Sequence, residues 1–254
     1  MNIGKLRRIP AKIVSGAGML RKYAGYSGGK TQLSFYPDRL YIESTNCCNL
    51  SCPMCPTGIK AMTREKGVME FALFKSIMDE MGPHVKAVVL HIWGEPLLDP
   101  CIFQKIAYAK RFPVTTEMST NVTLLSAKKA ARLIESGLDV VYMCVDGARK
   151  ETYESMRKGA YFEATTNNIC RFLQMKKKRN LKKPFVNLQI VDMALTHEQV
   201  AEFKRTWIAR GADAVNIKPL DTWGGQIPEI NGLNAGNRPL PEQRYHCPNL
   251  WYHA

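Results

Sequence analysis

The chain has 254 residues, 45% hydrophobic and 23% charged, an ordinary globular composition with enough length to bury a core. No run of 18 apolar residues occurs, which excludes a helical membrane span. The basic N-terminus lacks the apolar stretch and cleavage site of an export signal, so a cytoplasmic chain is expected, whose eight cysteines serve metal or redox chemistry rather than disulfides.

The net charge of +14 is concentrated in two places: residues 1–40 carry eight Lys/Arg against Asp38, and residues 171–183 carry seven with no acid. Residues 1–39 read as a basic N-terminal extension. Within it, residues 1–30 mix cationic and apolar side chains as a membrane-surface segment would, but Pro10, Gly16 and Gly18 interrupt a continuous amphipathic helix. From residue 39 onward, strand and helix patterns alternate. Strands are expected at 39–44, 86–93, 113–119, 139–145, 185–191 and 214–218, and helices at 71–81, 101–111, 126–136, 161–179 and 198–210, with a short helical turn at 152–157. Gly137 and Gly211 follow helices, where a left-handed cap suits glycine. Six βα repeats fit an open doubly wound sheet or an incomplete barrel, and in both folds functional residues sit at the carboxyl ends of the strands. Residues 219–244, rich in Pro, Gly and Asn, read as a linker.

The first strand runs into "TNCCNLSCPMCP", which holds Cys47, Cys48, Cys52 and Cys55. Neighbouring side chains diverge, so Cys47 and Cys48 do not readily serve one metal. Setting Cys47 aside leaves Cys48-x-x-x-Cys52-x-x-Cys55, whose thiolates can hold three irons of a four-iron cluster and leave the fourth iron open. A zinc site and an oxidisable Cys52/Cys55 pair are the alternatives. Cys101, Cys170 and His91 are expected to be core residues, and His197 receives no role.

This stretch resembles the cluster motif of the radical S-adenosylmethionine (radical SAM) superfamily. The resemblance implies a partial six-stranded (βα)6 barrel, here over residues 40–220, a [4Fe-4S] cluster on Cys48, Cys52 and Cys55, and S-adenosylmethionine (SAM) on the open iron. "HIWGEPLLDP" resembles the family's Gly-Gly-Glu-Pro motif, with Trp93 in place of the first glycine. Gly94, Glu95 and Pro96 then carry the contact to the SAM ammonium, while a helix-terminal acid is the other reading of Glu95. "MSTNVTLL" resembles the Thr-Asn-Gly turn with Val122 at the glycine position, and assigns Ser119 and Asn121 to ribose or substrate, while turn-forming and capping are the other reading of Asn121. Cys144 stands where the family usually has a serine that helps hold the SAM carboxylate, and a thiol is only a weak donor there. Arg157 matches a family arginine suited to a carboxylate, with a surface ion pair as the other reading.

Near the end, Cys247-Pro248 and Trp251 resemble the opening of a SPASM domain, implying auxiliary iron–sulfur clusters in a longer form. Residues 221–254 then read as a linker and the start of a truncated domain. The implied reaction is reductive cleavage of SAM to a 5′-deoxyadenosyl radical, which takes hydrogen from an unactivated C–H bond of a peptide side chain or sugar-like metabolite. An electron donor such as flavodoxin or ferredoxin is implied as a partner. The competing readings are an iron–sulfur carrier or sensor without SAM chemistry, and an RNA-modifying protein using the basic patches. No aromatic residues beyond Phe172 interleave with the lysine run, so no base-stacking platform is read.

Overall fold

The computed structural model describes residues 16–29, 32–221 and 227–233; Cys247, Trp251 and most of the predicted linker lie outside them. After helix α1 (Gly16–Ser27) the elements alternate as β1 (Arg39–Tyr41), α2 (Phe71–Met81), β2 (Ala87–Val89), α3 (Ile102–Ala109), β3 (Thr115–Thr120), α4 (Ala127–Glu135) and β4 (Val140–Cys144). They continue as α5 (Lys150–Met156), α6 (Phe162–Lys178), β5 (Phe185–Asp192), α7 (Val200–Ala209), β6 (Ala214–Pro219) and a short α8 (Pro228–Asn231). The predicted alternation is therefore met within a few residues at most boundaries. Gly137 at φ +80° and Gly211 at φ +96° take the left-handed caps expected of them. The largest difference is in the run 86–93, where only Ala87–Val89 joins the ladder. The chain then bends, and the Trp93 N–H donates to the Glu43 carboxylate at 3.1 Å.

All six strands are parallel and lie in chain order, β1-β2-β3-β4-β5-β6. A doubly wound sheet reverses direction at a switch point. Here every crossover advances the same way, which resolves the two sequence-level alternatives in favour of a partial barrel. Strand alternation then separates two environments. One face sends Leu40, Val88, Met118, Val141 and Leu188 beneath the helices, against Phe74, Ile106, Leu133, Phe172 and Phe203, all buried. The other face lines the lumen with Arg39, Glu117, Tyr142, Gln189 and Asn216.

Helix α1 was not expected. Lys22 anchors it through an ion pair to Asp38, just ahead of β1, with its ammonium 5.7 Å from the Phe35 ring centre. The 171–183 patch is also less bare than its sequence. Lys176 pairs with Asp213, Lys183 with Asp139 at 2.5 Å, and Arg179 with Glu135 at 3.7 Å, all acids outside that run. No described helix is long and apolar enough to cross a membrane.

Candidate active site

The cysteine loop leaves β1 and is laced to residues 65–68. The Asn46 side chain donates to the Glu65 carbonyl at 2.7 Å and accepts from the Gly67 N–H at 2.8 Å, while the Thr45 hydroxyl donates to the Gly67 carbonyl at 2.7 Å. Cys48, Cys52 and Cys55 line one cavity of about 140 Å³ at the carboxyl end of the sheet. Cys47 does not line it; its sulfur lies 3.8 Å from the Gly67 carbonyl. All seven described cysteines are free. Burial pushes Cys52 up to about 11 and raises Cys48 as well, so metal binding must displace their protons. Among the described residues no three Cys, His, Asp or Glu side chains close around a single ion.

The second motif is fastened to the first through backbone. The Glu95 N–H donates to the Cys47 carbonyl at 2.8 Å, and a Cβ on Gly94 would overlap the Thr45 carbonyl oxygen. Glycine at 94 is thus required by close approach of two chains, and Cys47 contributes its carbonyl rather than its thiol. Glu95 is buried and engaged by three donors: the Thr120 hydroxyl at 2.7 Å, the Leu97 N–H at 3.1 Å and the Asn121 N–H at 2.7 Å. Burial raises its pKa and those bonds oppose the rise. The capping role is present, at the 3-10 turn Pro96–Leu98, and the carboxylate also ties the end of β2 to the end of β3.

Asn121 likewise serves as both turn former and lining residue. Its oxygen accepts from the Thr123 N–H at 3.0 Å, and its amide donates to Asn49 at 3.0 Å and points toward the Cys48 sulfur at 3.9 Å. Val122 adopts φ +69°, a left-handed conformation that favours glycine, the residue usual at this place in the motif it resembles. Ser119 and Cys144 meet at 2.9 Å between hydroxyl and thiol, and the Gln189 amide donates to the same sulfur at 3.3 Å. The hydroxyl absent at 144 is therefore present on the adjacent strand.

Arg157 makes the ion pair that was its alternative reading, though a buried pair rather than a surface one. It meets a carboxylate of the protein itself, Asp146, at 2.6 Å, and its other terminal nitrogen lies 3.8 Å from the Cys52 sulfur. Burial opposes its charge, but Asp146 holds the guanidinium protonated. Its Nε is buried with no hydrogen-bond partner. Asp146 was missed; the cue available was an acid directly after the β4 run, at the catalytic end of a strand. His91 also needs correction. It follows the parity of Val89, but that parity faces the lumen, so His91 lines the cavity instead of packing in the core. Its Nδ1 accepts from the Ser119 N–H at 3.0 Å, and burial, with Lys218 and Arg39 nearby, pushes its pKa down to about 3. Cys101 and Cys170 are half-buried rather than core, and His197 pairs with Asp192 at 2.8 Å, away from the cavity.

The residues present fit a cluster with a small ligand beside it. Three thiols converge on one cavity, and a buried arginine that also lines it retains an unused N–H. Comparison with known proteins agrees. The chain is 28% identical over 186 residues to the tungsten-containing aldehyde ferredoxin oxidoreductase cofactor-modifying protein of Pyrococcus furiosus, covering 71% of this chain and 52% of that protein. Among solved structures it resembles Streptococcus suis SuiB bound to precursor peptide SuiA, with TM-score 0.64, 16% identity, and 93% of this chain and 51% of that one covered. It also resembles anSMEcpe with bound AdoMet, with TM-score 0.57, 20% identity, and coverage of 72% and 51%. The chain spans about half the length, or less, of the curated relatives it matches. The family model for the Radical SAM superfamily matches residues 42–206, well over half of the sequence. The chain therefore belongs to the radical SAM superfamily, a family of enzymes whose cofactors are a [4Fe-4S] cluster and SAM.

Proposed function

We propose that this protein is a radical SAM enzyme acting on an unactivated C–H bond of a peptide side chain or a sugar-like metabolite. When bound, the cluster and SAM supply reductive cleavage to methionine and a 5′-deoxyadenosyl radical. The observation that carries the reading is the convergence of Cys48, Cys52 and Cys55 with Gly94, Ser119, Asn121 and Arg157 on one cavity. In this reading the three cysteines hold the cluster. Gly94, Glu95 and Pro96 shape the place of the SAM ammonium, Gly94 and Glu95 lining the cavity itself. Ser119, Asn121, Cys144 and Arg157 line the remainder of the SAM site, with the Ser119 hydroxyl taking the part that the family gives to serine at 144.

SuiB, bound to its precursor peptide, supports the peptide option. Cys247-Pro248 and Trp251 support assignment to the SPASM-type subgroup, with Cys247 as an auxiliary-cluster ligand. A flavodoxin or ferredoxin supplies the electron, and free thiols suit a cytoplasmic setting. The test is anaerobic reconstitution with iron and sulfide, then dithionite and SAM. 5′-Deoxyadenosine is expected, and its absence from protein bearing a properly formed cluster would sink the proposal.

One observation favours a second reading, an electron carrier without SAM chemistry. Cys144 lines the same cavity, a fourth thiol within the site. If it closed the cluster, SAM would leave the reduced cluster's EPR spectrum unchanged in the wild type and alter it only in Cys144→Ser. On the enzyme reading both proteins respond.

A further inference from the structure

The lumen holds a second cavity of about 430 Å³, continuous with the first through shared walls that include Cys52, Cys55, His91, Ser119 and Arg157. Its charged groups divide unevenly. Arg39 pairs with Glu117 at 2.7 Å, and Arg157 with Asp146 at 2.6 Å. Lys218, on the last strand, also lines this cavity and has no acidic partner among the described residues. The neutral groups are largely engaged with one another. Asn216 donates to Gln189 at 3.4 Å, Gln189 to Cys144 at 3.3 Å, and Tyr142 to Glu117 at 3.4 Å.

His91 is different. Its Nδ1 accepts the Ser119 backbone N–H, so the ring hydrogen resides on Nε2. That Nε2–H makes no hydrogen bond to another described residue. The imidazole is thus a donor with a fixed tautomer at the boundary of the two cavities. Lys218 is exposed and solvated while the lumen is open. A substrate that fills the lumen strips that water, and an ammonium losing water needs an opposite charge to offset the loss.

We propose that the lumen is the subsite for an anionic group of the substrate, a carboxylate or a phosphate, with Lys218 as counter-charge and His91 Nε2–H as directed donor. This rests on reading the adjoining cavity as the radical SAM site, and it adds the substrate's charge to that reading. Both candidate substrate classes can carry such a group, an acidic side chain in a peptide or a phosphate on a sugar.

The test is binding without turnover, followed by NMR on the full chain labelled with [15N]histidine. It is run on the reconstituted oxidised protein and repeated metal-free. Inorganic phosphate and succinate are the anionic probes and glycerol the neutral control, with the His91 signal assigned by its loss in His91→Gln. Both anions are expected to move the His91 Nε2–H resonance saturably while glycerol does not. The tighter of the two identifies the group. Lys218→Gln, an exposed position, should weaken binding at least tenfold, with Lys177→Gln as an unaffected surface control. Equal binding by Lys218→Gln, no more response to the anions than to glycerol, or a ring proton found on Nδ1 would each overturn the proposal. A preparation with a properly formed cluster that binds phosphate in this way, yet forms no 5′-deoxyadenosine with dithionite and SAM, would instead overturn the enzyme reading.

Discussion

Replacing Lys105 with Met tests how the Gly94–Glu95 loop is held. The Lys105 and Asp99 side chains are both 0% exposed, and the ammonium donates to Asp99 at 2.7 Å and to the Met69 carbonyl at 2.6 Å. Asp99 also accepts from the Cys101 N–H at 2.8 Å, so one ion pair joins the loop after β2, the start of α3 and the segment entering α2. Met nearly conserves volume, so the cost is electrostatic. It leaves a buried carboxylate without its counter-charge and a carbonyl without its donor, which costs about 3–5 kcal/mol for a broken buried pair. At about 2–4 °C per kcal/mol for a chain of this size, that is a fall of roughly 6–20 °C in Tm. Urea and thermal unfolding followed by circular dichroism would measure it. Replacing both partners, Lys105→Met with Asp99→Leu, should recover much of the loss, because no lone charge remains buried. A single variant within 1 kcal/mol of wild type, or a double variant equal to the sum of the two singles, would refute the reasoning.

Gly94→Ala should lose most reconstituted iron, since its Cβ meets the Thr45 and Cys47 carbonyl oxygens, whereas Cys47→Ser should retain iron; an iron assay decides both. Arg157→Gln should make the cluster's midpoint potential more negative and Asp146→Asn more positive, because the first removes a cation near Cys52 and the second unmasks it. EPR-monitored titration would read the two opposite signs, which a purely structural effect would not produce. His91 has its folded pKa lowered to about 3 from 6.5, so between those values only the unfolded chain takes up its proton, and stability falls as pH falls. That amounts to about 1.4 kcal/mol per pH unit, or roughly 2 kcal/mol between pH 7 and pH 5. Urea midpoints of His91→Gln should show correspondingly less pH dependence than wild type.

Sequence periodicity located the six strands and nearly all the helices because each pattern is local, set by alternation or helical spacing over a few residues. Where local rules are broken, the reason lies elsewhere in the chain. Val122 is a β-branched residue in a left-handed conformation, which is costly for such a side chain. It is held there while fully buried and with its N–H on the Thr120 hydroxyl. Helix α1 was missed because its anchor, Lys22 to Asp38, is a tertiary ion pair that no helical periodicity reveals. The pairing of Lys176 and Lys183 within the basic run at 171–183 was hidden for the same reason, since their partners Asp213 and Asp139 lie elsewhere in the chain.

What the amino-acid sequence determined by itself was the βα order, the spacing of Cys48, Cys52 and Cys55, and the place of the Gly94–Glu95–Pro96 motif at a strand end. These are properties of short segments. Periodicity alone left a doubly wound sheet and a partial barrel open; the family resemblance implied the barrel, and the strand order bears it out. Only the tertiary structure decided that Arg157 meets Asp146 and that His91 faces the lumen with its tautomer fixed by Ser119. Each of these depends on which strand lies beside which and in what register. The same register leaves Lys218 without an acid in the lumen: its neighbour across the ladder is Val191, while the lumen's two acids are already paired with arginines.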